Sequence, residues 1–409
     1  MKNTLYFKLK NKKDQEEAFD AIVKEQKNIG YYALPEQDIS PILKYAASIP
    51  KEITQIVVIG IGGSSLGAKA IYEFIKPTRK LQRELYFFES TDPININNLM
   101  SNLDLEKTHF LVISKSGTTV ETFSIYKYIY SMHQNAKSYT FITDPNSPLE
   151  KYAKTIDANV LYLPDNVGGR FSVLATVGLI PLALSGIDIK SLLHGAITVK
   201  KSFFDQGYLK NTILKKAVYY ARNHNQYRIN CIFAYSETLK YFTEWYVQLW
   251  GESLGKKQRK SAFNVGLTPI GLIGPKDQHS FLQLIMEGTR DKTVTFIKIE
   301  NFKDDLIIPD ISLKHLESLD TLNNLHFSKL LNMQCDSVLE ALQEEDIPLD
   351  SISISEVNEE NIGALMYYYE LLTSLVGELI DVNTYNQPGV EAGKIILKQK
   401  LEKAMRQSS

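Results

Sequence analysis

Short apolar runs that alternate with stretches of helical length constrain the fold of this chain more than any other feature. Between residues 45 and 190, five runs rich in β-branched and aromatic residues each end in turn residues, and helical stretches such as residues 65–74 and 119–132 separate them. Buried strands joined through helices are typical of a parallel sheet. The pattern therefore predicts an α/β domain over residues 45–190. The five predicted strands are residues 56–60, 85–90, 109–114, 139–143 and 160–164.

The same alternation resumes after a helical bridge that begins at residue 191. Long helical patterns start at Leu239 and at Gln278, among further apolar runs. These patterns predict a second α/β domain, which together with the bridge covers residues 191–375. Its predicted strands are residues 230–236, 266–274 and 292–300.

The two ends of the chain follow a helical period instead. Residues 1–44 mix charged residues with apolar residues at helical spacing, which predicts an N-terminal helical arm. In the tail, residues 376–409, a stripe that includes Leu397, Leu401 and Met405 predicts a C-terminal helix that packs against the rest of the protein.

The charge balance excludes several classes of protein. The 409 residues carry 46 Lys and Arg against 47 Asp and Glu, a formal net charge of −1. A dedicated nucleic-acid binder has a basic excess that this chain lacks. The length suggests two or three domains, each large enough to bury its own core. We therefore expect a soluble globular protein without a nucleic-acid partner.

The cysteines and the apolar runs indicate neither export nor a membrane. Cys231 and Cys335 lie far apart and belong to no CxxC motif, which is typical of a reducing compartment. The basic N-terminus is not followed by the apolar segment of a secretory signal. The longest uncharged run, residues 171–187, is shorter than the roughly 20 apolar residues that span a bilayer. We expect a cytoplasmic protein with no membrane partner.

The first motif that could bind a ligand is GIGGSSLG at residues 60–67, directly after a predicted strand. Glycines let the backbone approach a ligand closely, and free N–H groups at a helix start favour an anion. A dinucleotide fingerprint would need a third glycine where Ser65 stands, although Glu89 ends the next strand at a suitable position for a ribose. The residues alone leave three interpretations open: a dinucleotide loop, a sugar-phosphate loop, and tight backbone packing.

The second motif, SKSGTTVET at residues 114–122, also joins a predicted strand to a predicted helix. Its hydroxyl side chains stand beside the N–H groups of a helix start, and this combination is suited to a phosphomonoester. Thr118 and Glu121 could instead form a capping box, and the two functions are compatible. Because the motif lacks the GK[ST] of a Walker A loop, it does not indicate nucleotide hydrolysis.

The third motif, DNVGGRFS at residues 165–172, places Arg170 after a paired glycine turn. Such a turn can project a guanidinium into a cleft, where it would stabilise a developing oxyanion. The alternative is a surface arginine on a tight turn. The apolar run that follows favours the first interpretation, since a charge that enters a buried segment needs a partner or a function.

Three further residues have the chemistry of proton transfer. Glu252, in WGESLGK, stands near the end of a helical stretch among aromatic residues and is a candidate base. His279 stands at a predicted helix start, and Lys394 begins the final predicted helix. Each has an ordinary alternative: a solvated glutamate, a structural histidine and a surface lysine.

Together these segments resemble the phosphoglucose isomerase family, whose members consist of two sugar-isomerase (SIS) domains. Six motifs occur in the family's order between residues 60 and 394: the three loops, WGESLGK, the QH of KDQHSF, and NQPGVEAGK. The resemblance implies two flavodoxin-like α/β/α domains with mainly parallel sheets. It also implies interconversion of D-glucose 6-phosphate and D-fructose 6-phosphate through a cis-enediol, in glycolysis and gluconeogenesis, by a homodimer without a metal or cofactor.

The resemblance further implies a role for each residue at a matching position. Glu252 would move the proton between C1 and C2, and Arg170 would stabilise the enediolate. Lys394 and His279 would assist opening of the sugar ring, with His279 lent by the neighbouring subunit. The implied substrate-binding residues are Gly63, Ser64, Ser114, Lys115, Ser116, Gly117, Thr118, Thr119, Glu121, Gln248 and Gln387.

Three rival functions and one departure from the family remain at this stage. The rivals are a non-catalytic sugar-phosphate sensor with SIS domains, a nucleotide-dependent oxidoreductase, and an isomerase of mannose or glucosamine phosphates. The departure is Leu254, which stands where many members of the family have Asn. It predicts that a polar contact near Glu252 is missing.

Overall fold

The computed structural model describes residues 1–9, 11–205 and 207–408. This part of the chain forms two five-stranded sheets, one two-stranded ribbon, and the helices that cover and connect them. The strands are β1 (Lys2–Leu5), β2 (Gln55–Ile59), β3 (Glu84–Phe88), β4 (Thr108–Ile113), β5 (Tyr139–Thr143), β6 (Asn159–Tyr162), β7 (Ile229–Tyr235), β8 (Lys256–Lys257), β9 (Asn264–Val265), β10 (Thr268–Ile273), β11 (Lys292–Asn301) and β12 (Leu349–Glu356). The α-helices are α1 (Lys12–Glu25), α2 (Ser40–Ser48), α3 (Leu66–Ile75), α4 (Pro93–Met100), α5 (Val120–Met132), α6 (Pro148–Thr155), α7 (Thr176–Ser185), α8 (Ile189–Phe204), α9 (Tyr208–Arg222), α10 (Lys240–Leu254), α11 (Leu282–Met286), α12 (Phe327–Glu344), α13 (Glu359–Leu379) and α14 (Glu391–Ser408).

The first sheet is wholly parallel, with the strand order β3-β2-β4-β5-β6. Helices cover both faces, so its central strands are buried on both sides; every residue of β4 is buried. Strands of this kind are continuous apolar runs in the sequence. All five predicted strands are therefore present, with small shifts at their ends. The strand order reverses between β2 and β4. The chain adds β3 on one side of β2 and then crosses back to add β4, β5 and β6 on the other side of β2.

The second sheet has the order β1-β12-β11-β7-β10, and β1 is its one antiparallel strand. The strands predicted from the sequence correspond to β7, β10 and β11, whereas β1 and β12 were not predicted. The prediction of a helical arm over residues 1–44 is therefore wrong at its start, although α1 and α2 follow. Side-chain bonds hold β1 in the sheet: Asn3 donates to Asp350 Oδ2 over 2.7 Å, and the same oxygen accepts from Lys216 Nζ over 2.8 Å.

Two long helices connect the sheets. α10 packs against α3, and α13, which is buried along nearly its whole length, packs against α8 and α9. One apolar cluster extends through these helices and both sheets. In consequence the end of α10 lies beside the carboxyl edge of the first sheet, where Gln248 meets Gly62. The predicted α/β fold class is confirmed.

Two helical expectations differ from the structure. The helix predicted from Gln278 is limited to the five residues of α11, since Gly288 and its neighbours end it before β11. The tail forms the predicted helix, α14, but its residues from 391 to 407 are all exposed, so it does not pack against the rest of its own chain. Within the described residues, no helix is both long enough and apolar enough to cross a membrane.

Candidate active site

Three loops meet at the carboxyl edge of the first sheet. The glycine loop (residues 60–67) follows β2, the hydroxyl loop (residues 114–119) follows β4, and the arginine loop (residues 165–172) lies after β6. In open α/β sheets, ligands bind at this edge where the strand order reverses. The reversal falls between β2 and β4, the strands that carry the glycine and hydroxyl loops.

The glycine loop packs backbone to backbone against the arginine loop. A Cβ on Gly63 would lie 2.4 Å from the carbonyl oxygen of Gly169, so a side chain does not fit there. Gly62 has a φ of +60°, and a Cβ on it would lie 2.9 Å from Nε2 of Gln248. Ser64 ends the short turn Gly62–Ser64 between these contacts. Tight packing therefore accounts for part of this motif.

The candidate ribose ligand of the dinucleotide interpretation is already engaged. Glu89 Oε1 accepts from Lys69 Nζ of α3 over 2.5 Å, and both side chains are mostly buried. The other oxygen, Oε2, is buried and has no hydrogen-bond partner among the described residues. Ser65 in place of the third glycine therefore remains the argument against a dinucleotide site.

The side chains of the hydroxyl loop pair with one another. Ser114 Oγ lies 2.8 Å from Thr119 Oγ1, and Ser116 Oγ lies 3.1 Å from Thr118 Oγ1. The capping-box alternative is wrong, because Thr119 is the N-cap of α5 and no side chain caps it, while Glu121 lies in the first turn. The N–H groups at this helix start are left for an anion.

Two residues fix the shape of the hydroxyl loop. Gly117 has a φ of +67°, and a Cβ on it would lie 2.9 Å from the backbone nitrogen of Leu149. Lys115 Nζ donates to the carbonyl oxygens of Asp165 and Val167 over 3.1 and 2.7 Å. Lys115 therefore joins the hydroxyl loop to the arginine loop, a structural contact that the motif alone did not indicate.

Arg170 is buried, with 2% of its surface exposed, and its guanidinium is fully engaged. Nε donates to Ser253 Oγ over 2.7 Å, and Nη1 donates to Gln387 Oε1 over 2.9 Å. Nη2 donates to the carbonyl oxygens of Thr384 and Asn386. Burial lowers the pKa of this arginine, and a nearby carboxylate opposes the effect. The interpretation as a surface arginine is excluded by these contacts.

That carboxylate belongs to Glu252, near the end of α10. Glu252 Oε1 lies 3.3 Å from Arg170 Nη1, and Oε2 accepts from Gln248 Nε2 over 3.1 Å. The side chain is 21% exposed, so it reaches solvent while it faces the buried cation. Gln248 Oε1 is buried and has no hydrogen-bond partner among the described residues. The Glu252 carboxylate thus directly contacts both the Arg170 cation and Gln248, whose amide oxygen is free to accept a hydrogen bond.

A cleft of about 1020 Å³ opens beside this group. Its walls include Glu252 and Lys256 from the region around the end of α10, and Gln387 and Pro388 from the segment before α14. This volume is ample for a hexose phosphate, since small-molecule sites commonly occupy about 300–1,000 Å³. Among the residues described, no three His, Cys, Asp or Glu side chains are grouped as around a metal ion.

Of the four predicted catalytic residues, Glu252 alone lines this cleft. Arg170 contacts Glu252 and Gln387 without lining it, and the hydroxyl loop does not line it either. His279 is exposed at the end of the turn Lys276–His279, which follows the edge strand β10. Lys394 is exposed on α14, where its Nζ lies 2.8 Å from Glu391 Oε1. A single chain thus brings Arg170 and Glu252 together but leaves the two predicted ring-opening groups apart from them.

The structure adds polar groups that sequence reasoning missed. Ser253 binds Arg170 directly, and Lys256 Nζ donates to the carbonyl oxygens of Glu252 and Asn386 over 2.7 and 2.6 Å. Both residues belong to the WGESLGK motif, so the motif was the available signal. Leu254, by contrast, is fully buried and packs in the apolar core. No polar side chain therefore reaches Glu252 from this position, and the loss of a polar contact there stays a prediction.

Comparisons with known proteins identify the family of this chain. A family model described as phosphoglucose isomerase matches residues 44–409. A glucose-6-phosphate isomerase of Campylobacter jejuni is 42% identical over 407 residues, which cover 97% of this chain and 98% of that protein. A hypothetical protein from Thermus thermophilus has a solved structure with a TM-score of 0.87 and 32% identity, over 95% of this chain and 94% of that one.

A second solved structure shows the same fold at lower identity. A glucose-6-phosphate isomerase from Chlamydia trachomatis has a TM-score of 0.79 and 24% identity, over 98% of this chain and 81% of that one. The paired α/β sheets and the three loops define the class, that of the two-domain sugar-phosphate isomerases. Within that class the family match and the relative at 42% identity decide the assignment: the chain belongs to the phosphoglucose isomerase family.

Proposed function

We propose that this protein interconverts D-glucose 6-phosphate and D-fructose 6-phosphate through a cis-enediol intermediate, as a cytoplasmic enzyme of glycolysis and gluconeogenesis. The observation that carries the proposal is the pair formed by Glu252 and Arg170, 3.3 Å apart beside the cleft. Membership of the phosphoglucose isomerase family supports the choice of substrates. A binding protein would need neither the carboxylate nor the buried cation.

The reaction needs one base and one stabilising cation. The Glu252 carboxylate accepts the proton from C2 of the open-chain aldose and returns it to C1, while the hydroxyl proton passes from O2 to O1, so the base is regenerated and nothing is consumed. Between these steps negative charge develops on the oxygens at C1 and C2. Arg170 is held by five contacts and lies next to this charge without needing to reorganise, which is the requirement for electrostatic stabilisation.

The hydroxyl loop holds the other end of the substrate. Ser114, Ser116, Thr118 and Thr119 supply hydroxyl donors beside the start of α5, where backbone N–H groups and the helix dipole favour a phosphate. Binding energy gained at the phosphate is available to position C1 and C2 against Glu252. The near-neutral charge of the chain fits this arrangement, because the loop binds the anion with neutral groups.

A homodimer completes the proposed site. His279 of a second copy and Lys394 move the proton between the ring oxygen and the C1 hydroxyl when the sugar ring opens. Two exposed apolar surfaces support an assembly, since surfaces of this kind mark contacts between proteins. One is the face of α14 with Ile395, Ile396, Leu401 and Met405, which are 45–74% exposed. The other is the irregular segment after β11, with Leu306, Ile307, Ile311, Leu313, Leu316 and Leu319, which are 48–69% exposed.

A coupled assay tests the proposed reaction. The purified protein, in the presence of EDTA, is expected to convert fructose 6-phosphate to glucose 6-phosphate with a kcat of about 10 s⁻¹ or more. Mannose 6-phosphate and glucosamine 6-phosphate, assayed in parallel, are expected to give lower kcat/KM. Binding of fructose 6-phosphate to the folded protein without turnover would instead support the sugar-phosphate sensor.

Mixing two inactive variants tests the shared site. Glu252→Gln and His279→Ala are each expected to lose most activity as separate homodimers. In a mixed dimer, one site combines the intact Glu252 of one chain with the intact His279 of the other. Equal mixtures that have been dissociated and reassociated are therefore expected to recover about a quarter of wild-type activity. Light scattering that shows an active monomer, or a mixture that recovers nothing although mixed dimers form, contradicts the proposal.

A further inference from the structure

We propose that Lys256 is a positioning residue for the isomerisation, because its ammonium ties the end of α10 to residues 383–387. The end of α10 carries Glu252, and residues 383–387 carry Gln387 and surround the guanidinium of Arg170. This inference rests on the proposed function and adds a residue to which the motif comparison assigned no role.

The ammonium bridges two elements that are distant in sequence. On α10 it donates to the carbonyl oxygens of Glu252 at 2.7 Å and Ser253 at 3.5 Å. On the other side it donates to the carbonyl oxygens of Asn383 at 3.3 Å and Asn386 at 2.6 Å. The last carbonyl groups of a helix lack partners within the helix, and the helix dipole favours a cation at that end. Lys256 therefore supplies a donor to the last carbonyl groups of α10 and at the same time binds residues 383–387.

Arg170 and Lys256 converge on one backbone oxygen. The carbonyl of Asn386 accepts from Arg170 Nη2 at 3.1 Å as well as from Lys256 Nζ. Loss of the ammonium would leave Arg170 as the remaining donor to this carbonyl among the described residues. The segment would then be free to shift relative to α10, and the 3.3 Å contact between Arg170 and Glu252 would change with it.

Other contacts limit that shift to the site itself. Tyr385 donates to Ser374 Oγ over 2.9 Å, which anchors the same segment to α13. Gln258 Nε2 donates to the carbonyl oxygen of Ile380 over 2.9 Å, just before the segment. Because these anchors remain, replacing Lys256 is expected to disturb the position of the catalytic pair rather than the fold.

The environment of Lys256 makes this contact sensitive to pH. Burial and, to a smaller extent, the charge of Arg170 on the arginine loop lower the pKa of Lys256 to about 8, against the opposing charge of Glu252 on α10. The facing segment presents the backbone carbonyl oxygens of Asn383 and Asn386. The protonated form makes the bridge, so the bridge is complete below pH 8 and is lost as the pH rises through about 8.

Three variants compared at several pH values test the inference. Lys256→Met is expected to lower kcat by roughly 10- to 100-fold at pH 7 and to change KM less than about threefold, since phosphate binding lies elsewhere. Lys256→Arg is expected to retain most of kcat and to extend activity above pH 8.5, where wild type declines, because a guanidinium stays protonated. Lys260→Met, an exposed lysine nearby in the chain, is the matched control and is expected to match wild type.

Amide hydrogen exchange provides a readout that does not depend on turnover. Lys256→Met is expected to speed exchange at residues 383–387 and to leave β4 and α13 unchanged. If wild type lacked isomerase activity, the proposed function would fail while this structural prediction could still hold. The inference is overturned if Lys256→Met keeps kcat within twofold of wild type, if its effect falls on KM alone, or if Lys256→Arg is as impaired as Lys256→Met.

Discussion

Replacement of Glu252 by Gln is expected to lower kcat for fructose 6-phosphate by on the order of 10³-fold, the scale of a lost general base. The substitution keeps the shape of the side chain and removes its ability to accept a proton, together with the negative charge that faces Arg170. KM is expected to stay within about threefold of wild type, because the hydroxyl loop that holds the phosphate is not touched. Steady-state kinetics with the coupled assay measure both constants.

Solvent exchange identifies the step that is lost. In deuterium oxide, wild type is expected to introduce deuterium at C2 of glucose 6-phosphate, whereas Glu252→Gln is expected to introduce almost none. Glu244→Gln is the matched control, since Glu244 is an exposed glutamate on the same helix. Wild-type exchange by a folded Glu252→Gln variant would show that another group removes the proton.

Replacement of Arg170 by Lys is expected to lower kcat by about 10²-fold and to destabilise the fold by about 2 kcal/mol. Lysine keeps the positive charge but lacks the planar set of donors that reaches Ser253, Gln387 and the carbonyl oxygens of Thr384 and Asn386 together. Some of these buried acceptors would lose their partner. Steady-state kinetics and thermal unfolding measure the two effects.

A second arginine separates this effect from a general loss of ion pairs. Arg290→Lys changes an exposed arginine that is paired with Glu345 over 2.6 Å, far from the loops of the site, and is expected to alter neither kcat nor stability appreciably. Arg170→Lys is expected to differ clearly from it in both. Equal behaviour of the two variants would mean that the fork of donors on Arg170 has no catalytic importance.

The strands that sequence analysis found are apolar runs, whether they are buried like β4 or lie at a sheet edge like β6. β4 and β7 are rich in β-branched and aromatic residues, so their runs were distinct without any knowledge of their partners. β1 has four residues, and β12 alternates serine with isoleucine and contains Asp350. Asp350 is tolerated in a buried strand because Lys216, Asn3 and Thr295 satisfy it, and those partners come from three other elements. No local pattern contains that information.

The candidate site was predictable to the extent that it depends on residue type. The three loops, Glu252 and Arg170 were found because glycines, hydroxyls and isolated charges stand out in a sequence. The carbonyl oxygens that hold Arg170 and Lys256 were not found, because every residue carries a carbonyl and only the folded backbone directs it. The roles of His279 and Lys394 remain predictions that depend on a second copy of the chain.

The pairing of β1 with β12 sets an order of events during synthesis on the ribosome. The strands of the first sheet all lie between Gln55 and Tyr162, so that sheet has its complete set of strands early. β1 emerges before any of them, yet its neighbour in the second sheet, β12, spans Leu349–Glu356. At about 5–20 residues per second, the first strand waits roughly 20 to 70 seconds for its partner. β1 is thus made before every other strand of the two sheets, yet its pairing in the second sheet must wait for β12.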